Sequence, residues 1–335
     1  MNKLPVIGIT MGDPSGIGPE IISKLYIHEN IHEICRPVVI GDPGVMAECT
    51  RGSIRISEIS DCREISADPG TIEIIRVSNL DSSSYQPGKP SLEGGTAMVE
   101  AVLKAVEFAR EGQISAMVTC PINKALMNSA GYNYQGHTQL ISSLTDTEDY
   151  VMMLAGSKLR VTLVTIHCSI RDVPSKISEE NIFRTIRITG DALRNDFGIK
   201  DPVIAVTALN PHAGEEGLFG KEENTLISPA IKRAAAAGYS VKGPFPADTL
   251  YPRAVKGEYD AVVNMYHDQG LIPLKLMHFS DGVNITLGLP VIRTSVDHGT
   301  AYDIAGKGIA DHNSLKAAVI MASDIAKNRS GYTVG

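Results

Sequence analysis

The chain has 335 residues, 43% hydrophobic and 21% charged, with a formal net charge of −7 and a pI near 5.7. That balance describes a globular protein of two domains or one large α/β unit and excludes nucleic acid as the main partner. No apolar run reads as a membrane span or a signal segment. The five cysteines show no C-x-x-C pairing and, being odd in number, cannot all pair within one chain, so a reducing cytoplasm is the expected compartment.

In chain order, residues 4–10 read as a β-branched strand running into Met11-Gly12-Asp13-Pro14-Ser15-Gly16-Ile17-Gly18-Pro19-Glu20. Pro19 suits the first turn of a helix. The glycine spacing matches neither the Rossmann fingerprint nor the P-loop, which leaves a tight turn or a ligand contact. Residues 37–41 form the next strand. Between 51 and 90 the pattern weakens into short strand-like pieces, expected to be peripheral. Residues 91–110 give the clearest helix, with Met98, Val102, Ala105, Val106 and Ala109 on one face. A buried strand at 114–119 stops at Cys120-Pro121-Ile122-Asn123-Lys124. This βα alternation predicts an α/β fold with a mostly parallel sheet covered on both faces.

The middle of the chain repeats one design. Strands at 159–166, 203–209 and 261–265 each run into a histidine-bearing segment, carrying His167, His212 and His267. Ser178 can cap a helix reaching Phe197-Gly198, residues 224–237 form another helix, and 314–327 the last, with a tail expected to fray. Carboxyl ends of parallel strands share an edge, so the three imidazoles could converge there. Three imidazoles with an open position are the donor set of a catalytic transition-metal site, with zinc the default. The ordinary alternative is a satisfied core or loop histidine at each place.

Other candidates follow. His137 and Thr138, at the start of a helix, suit a phosphate or carboxylate, unless Thr138 is simply an N-cap. Asp248 is a general base or a helix cap. Lys275, between Leu274 and Leu276, has an apolar flank suited to general-acid work, against the commoner snorkelling lysine. Asn284 adds an amide, and Arg293, placed at a strand end, fits a bidentate clamp on an acid group.

The run Asp297-His298-Gly299-Thr300-Ala301-Tyr302-Asp303-Ile304-Ala305-Gly306-Lys307-Gly308-Ile309-Ala310-Asp311 closely resembles the adenosine-binding loop of isocitrate and isopropylmalate dehydrogenases. With it, the Gly12–Glu20 turn, Gly136-His137-Thr138, Asn210-Pro211-His212-Ala213-Gly214-Glu215, Tyr266-His267-Asp268-Gln269-Gly270 and Gly282–Thr286 together resemble the 4-hydroxythreonine-4-phosphate dehydrogenase family. This family includes a D-threonate and D-erythronate 4-phosphate branch.

The resemblance implies an isocitrate-dehydrogenase-like fold of two α/β domains, expected at 1–132 plus 290–335 and at 133–289. It implies a homodimer with shared active sites and a divalent metal (zinc first; Mg, Mn, Co or Ni as alternatives) on His167, His212 and His267, one histidine coming from the partner. It also implies NAD on His298, Gly299, Thr300, Ala301, Asp303 and Asp311, where the two acidic side chains would repel the extra phosphate of NADP. Substrate contacts are implied at His137, Thr138, Lys275, Asn284 and Arg293; Lys275 and Asp248 are the candidates for proton transfer. The expected reaction is oxidation and decarboxylation of a phosphorylated hydroxy acid. A cis-dihydrodiol dehydrogenase of the same family and a metal-dependent hydrolase are the alternatives. Two departures, Gln139 where glutamate often follows Gly-His-Thr and Asn123 where some members carry histidine, are expected near the substrate.

Overall fold

The computed structural model of the chain describes residues 4–81 and 84–330; residues 331–335, the end of the tail expected to fray, lie outside them. Twelve strands are present among the described residues: β1 (Val6–Thr10), β2 (Arg36–Gly41), β3 (Arg55–Ile59), β4 (Thr71–Arg76), β5 (Ala116–Thr119), β6 (Val151–Ala155), β7 (Arg160–Leu163), β8 (Val203–Thr207), β9 (Ser240–Phe245), β10 (Ala261–Asn264), β11 (Val283–Leu287) and β12 (Arg293–Val296). Packing divides the chain into two units: residues through Glu148 with Leu289–Ser330, and Asp149–Gly288. His137 and Thr138 therefore belong to the first unit, whereas a division at residue 132 would place them in the second.

In the first unit the strand order is β3-β4-β2-β1-β5-β12, and every pair is parallel. The helix Leu92–Arg110 packs on this sheet; Ser91 caps it by accepting from the Gly94 N–H, and Met98, Val102, Ala105 and Val106 are buried as the periodicity predicts. The weak region between 51 and 90 contains a strand, β4, buried at every residue but Arg76. Glu73 interrupts its apolar run and hides it from pattern reading. The carboxylate is satisfied inside by the Ser66 N–H and hydroxyl (2.6 and 2.8 Å).

In the second unit the order is β11-β6-β7-β10-β8-β9. β6 runs antiparallel to both neighbours, and the remaining pairs are parallel. One face of this sheet packs Ile204, Val206 and Val263 against Ile182, Ile186 and Leu193 of the helix Glu179–Asn195; the other packs Ala205 and Val262 against Leu250 and Leu274. Each fully buried Ile or Leu contributes about 1.5–3 kcal/mol. The strand expected at 159–166 ends at Leu163, so His167 sits on irregular chain beyond it. The helix expected at 224–237 opens as a π turn, Glu223–Ile227, before Ser228–Ala236. No helix among the described residues is long and apolar enough to cross a membrane.

Candidate active site

β1, β5 and β12 are parallel neighbours, so their carboxyl ends meet on one edge, the usual ligand edge of such sheets. Three segments come together there: the turn after β1, the Cys120–Lys124 stretch and the loop His298–Asp311. The Asp13 N–H donates to the Pro121 carbonyl (2.9 Å) and the Ile17 N–H to the Thr300 carbonyl (3.0 Å). The Tyr302 hydroxyl donates to Asp13 Oδ2 (2.5 Å) and accepts from Asn123 Nδ2 (2.8 Å). Burial raises the Asp13 carboxyl, and the hydrogen bonds from Tyr302 and the Ser15 N–H pull it back.

At the other end of the loop, Glu20 accepts from the Ala310 and Gly308 N–H groups (2.7 and 3.2 Å). Lys24 donates to the carbonyls of the same two residues (2.6 and 3.0 Å). The glycine-rich turn after β1 is thus a clamp on both ends of the loop. Its glycines are needed for close approach: a Cβ on Gly16 would lie 2.9 Å from the Thr300 oxygen, and one on Gly18 2.1 Å from the Met11 oxygen. The loop holds His298, Gly299, Thr300, Ala301 and Asp303 in one stretch, with Asp303 and Asp311 exposed. A cavity of about 500 Å³ runs along Gly306, Lys307 and Gly308 and touches Gly16, Pro19 and Glu20.

The same unit carries a buried cationic corner. His137 is the first residue of the helix His137–Leu144, whose cap position is Gly136, at φ 148°, with no side-chain cap. Thr138 is not the N-cap. His137 is buried, and its Nε2 has no hydrogen-bond partner. Burial, then the nearby Arg293 and Lys124, push its imidazole well below the ordinary range, towards the neutral form. Arg293 is buried as well and opens β12 instead of ending a strand; its Nε and Nη2 donate to Thr119 Oγ1 (3.2 and 2.9 Å). Burial pulls its guanidinium down to about 9. A helix N-terminus without a side-chain cap, beside a buried arginine and an imidazole whose Nε2 lacks a partner, favours an anion.

The two departures have local partners here. Asn123 caps the helix Lys124–Ser129 through the Leu126 N–H (3.1 Å) and holds Tyr302, and Gln139 accepts from the Gln135 N–H (2.8 Å).

In the second unit, β7, β10 and β8 are parallel neighbours, and two of the three predicted imidazoles meet at their carboxyl ends. The His167 and His267 rings lie 6.0 Å apart between centroids, somewhat beyond the roughly 5 Å that two imidazoles on one tetrahedral zinc would show, so a small approach of the rings would bring both onto one ion. His267 Nδ1 pairs with Asp268 Oδ1 (2.7 Å), which leaves Nε2 as the nitrogen that could take a metal, in the carboxylate–histidine–metal order. A cavity of about 260 Å³ is lined by both rings, Cys168, Tyr266 and Asp268.

His212 does not join them within the chain. Its side chain is 70% exposed, near Glu215 (3.5 Å) and Phe219 (6.2 Å between rings). Among the described residues no three His, Cys, Asp or Glu side chains gather as a metal site. The physical reason is a left-handed turn after Asn210 that carries His212 outward. The donor chemistry of His167 and His267 fits a divalent ion that takes its remaining protein ligand from elsewhere.

Lys275 lies on the helix His267–Met277; of its flanks, Leu274 is buried and Leu276 is 81% exposed, since adjacent helical residues face different sides. Asn284 lies on β11. Asp248 is exposed in the first turn of the helix Ala247–Ala254, whose cap position is Pro246, so it is not a side-chain cap. Sequence reasoning missed Tyr302, Glu20, Lys24 and Gln269. Gln269 accepts from the Met265 N–H and the Thr207 hydroxyl (2.8 and 2.7 Å) and donates to the Ala208 carbonyl (2.6 Å), tying the ends of β8 and β10 together. Its place inside His267-Asp268-Gln269-Gly270 was the available signal.

Comparison with known proteins agrees with this geometry. A sequence model of the pyridoxal phosphate biosynthetic protein PdxA family matches residues 33–322. The chain is 52% identical over 330 residues to a 4-hydroxythreonine-4-phosphate dehydrogenase of Desulfosudis oleivorans, covering 97% of each. It is 45% identical to a D-threonate 4-phosphate dehydrogenase of Cupriavidus necator, covering 98% of this chain and 99% of the relative. The crystal structure of a 4-hydroxythreonine-4-phosphate dehydrogenase from Klebsiella pneumoniae superposes with a TM-score of 0.90 at 40% identity, over 97% of this chain and 99% of that one. The chain belongs to the PdxA family and is a dehydrogenase.

Proposed function

We propose that the protein oxidises and decarboxylates a 4-phosphorylated hydroxy acid, with NAD as the hydride acceptor and a divalent metal, zinc by donor type, on its histidines. The observation that carries this reading is the buried cationic corner: buried Arg293 and the unpartnered Nε2 of buried His137 at a helix N-terminus without a side-chain cap. An acid group of the substrate would give His137 Nε2 a partner and complement the charge of Arg293 and of the helix N-terminus.

When bound, the ion would act as a Lewis acid on the reacting hydroxyl. His167 and His267 would hold it, with Asp268 fixing the ring of His267. The residues of the chain then have distinct tasks. Arg293, His137 and Thr138 orient the acid group, and Asn284 contributes a further hydrogen bond. Asp248 takes the hydroxyl proton, and Lys275 returns a proton to the carbon from which CO₂ departs. The clamped loop from His298 to Asp311 carries the adenosine half of NAD, and exposed Asp303 and Asp311 disfavour the additional phosphate of NADP.

The working form is a homodimer with shared sites. The second unit exposes the large apolar side chains Ile170, Leu218, Phe219, Ile272, Leu276 and Phe279, surface that a partner subunit would cover. The partner subunit then supplies the third imidazole, and exposed His212 is the candidate. All five cysteines are free, in keeping with a cytoplasmic site of action.

Two substrates stand closest, 4-phosphohydroxy-L-threonine and D-threonate 4-phosphate, because relatives named for each cover nearly the whole chain. The test is NADH formation, read at about 340 nm, with each ester, D-erythronate 4-phosphate and an aromatic cis-dihydrodiol. Turnover of one phosphate ester, abolished by chelation and restored by zinc, supports the reading. Turnover of the dihydrodiol alone, or hydrolysis without NAD, overturns it.

A further inference from the structure

Residues His212, Ala213, Gly214, Glu215 and Glu216 have φ of 53, 54, 77, 43 and 57°, a left-handed turn in which four of the five residues carry a Cβ. L-residues visit this region singly, because Cβ crowds the following carbonyl, so such a run persists only where its surroundings hold it. What holds it is Glu223, 3% exposed, at the opening of the π turn Glu223–Ile227. Its Oε1 accepts from the Leu209 and Asn210 N–H groups (2.9 and 2.8 Å) and its Oε2 from Asn210 Nδ2 (3.0 Å). Glu222 takes the same Asn210 amide (2.8 Å). The turn rests directly on the Glu223 carboxylate: a Cβ on Gly214 would lie 2.6 Å from Glu223 Oε2.

We propose that Glu223 is a positioning residue for His212: it fixes the left-handed turn that presents this imidazole, largely exposed, as the third ligand of the metal. This rests on the reading of His212 as a ligand to the ion held by His167 and His267. A mere connector between β8 and the helix Ser228–Ala236 could take an ordinary turn. A strained turn with a buried, fully hydrogen-bonded carboxylate beneath it is what holding an exposed side chain in one direction requires.

The experiment measures Zn²⁺ affinity of the purified full-length dimer by competition with a chromogenic chelator, alongside NAD affinity and melting temperature. Glu223→Ala weakens zinc about 10–100-fold, the usual effect of removing a group that orients a ligand, while NAD affinity is unchanged. Glu223→Gln keeps an acceptor for the two N–H groups and recovers most of the loss. Gly214→Ala lifts the turn from the carboxylate and weakens zinc in the same way, and it decides the matter should Glu223→Ala fail to fold. Wild-type zinc affinity in a folded Glu223→Ala or Gly214→Ala protein overturns the inference alone. A wild-type protein that binds no zinc, or a His212→Ala variant with undiminished affinity, overturns the reading beneath it and the inference with it.

Discussion

Removing one oxygen atom, in Tyr302→Phe, tests whether the turn after β1 holds the cofactor loop. The hydroxyl donates to the Asp13 carboxylate, itself only 1% exposed, and accepts from Asn123. A hydrogen bond to a charged group contributes about 1.5–3 kcal/mol, and the Asn123 amide, partly buried, can turn to water at little cost. The expected loss of stability is therefore about 2 kcal/mol at neutral pH, read as a shift in the urea midpoint. If the loop moves by that free energy when NAD binds, KM for NAD rises up to about 30-fold, with kcat changed much less.

The loss also depends on pH. Burial raises the Asp13 carboxyl above its ordinary 3.8, and the Tyr302 hydrogen bond opposes that, so the variant raises it further. A group with a raised folded value loses stability as pH rises through that value. The defect is thus full at neutral pH and shrinks as pH falls towards the carboxylate range. Asp13→Asn in the same background should recover about half of it, since a neutral amide is less costly to bury. A Tyr302→Phe protein within about 0.5 kcal/mol of wild type, with unchanged KM for NAD at all pH values, would refute the reasoning.

Arg293→Lys keeps the charge but loses the planar fork, so KM for the phosphate ester should rise at least about tenfold while NAD affinity holds; steady-state kinetics with both substrates varied separates the two. For His137, burial holds the folded imidazole well below 6.5. The unfolded chain therefore takes up a proton that the folded chain refuses, and stability is lost as pH drops below that ordinary value. His137→Asn removes this contribution, so its melting temperature should fall less on acidification than that of wild type.

The sequence of strand followed by polar, chemistry-bearing segment was legible because each apolar run breaks abruptly, as at Met265-Tyr266-His267, although β7 ends at Leu163, before its expected break. That put His167 and His267 on the same edge correctly. His212 escaped the same logic because its direction depends on the five left-handed backbone angles from His212 to Glu216, which no side-chain pattern in the motif announces. β4 was obscured by Glu73, whose burial makes sense only once Ser66 is seen beneath it. Likewise the pairing of Tyr302 with Asp13 joins residues 289 apart, and a hydrogen bond of that reach leaves no local pattern to read. Lys275 shows the converse error: neighbours in sequence, Leu274 and Leu276, suggested an apolar setting that helical geometry divides between two sides.

The central claim, a metal site completed across a dimer, is tested most directly by mixing two inactive proteins. His212→Ala and His267→Ala subunits are unfolded together, refolded as mixed dimers and assayed for NADH formation with zinc. In a twofold dimer with one histidine crossing over, half of the dimers are mixed and each regains one intact site, so activity should return to about a quarter of wild type. Mixed dimers that stay as inactive as either parent would contradict the account.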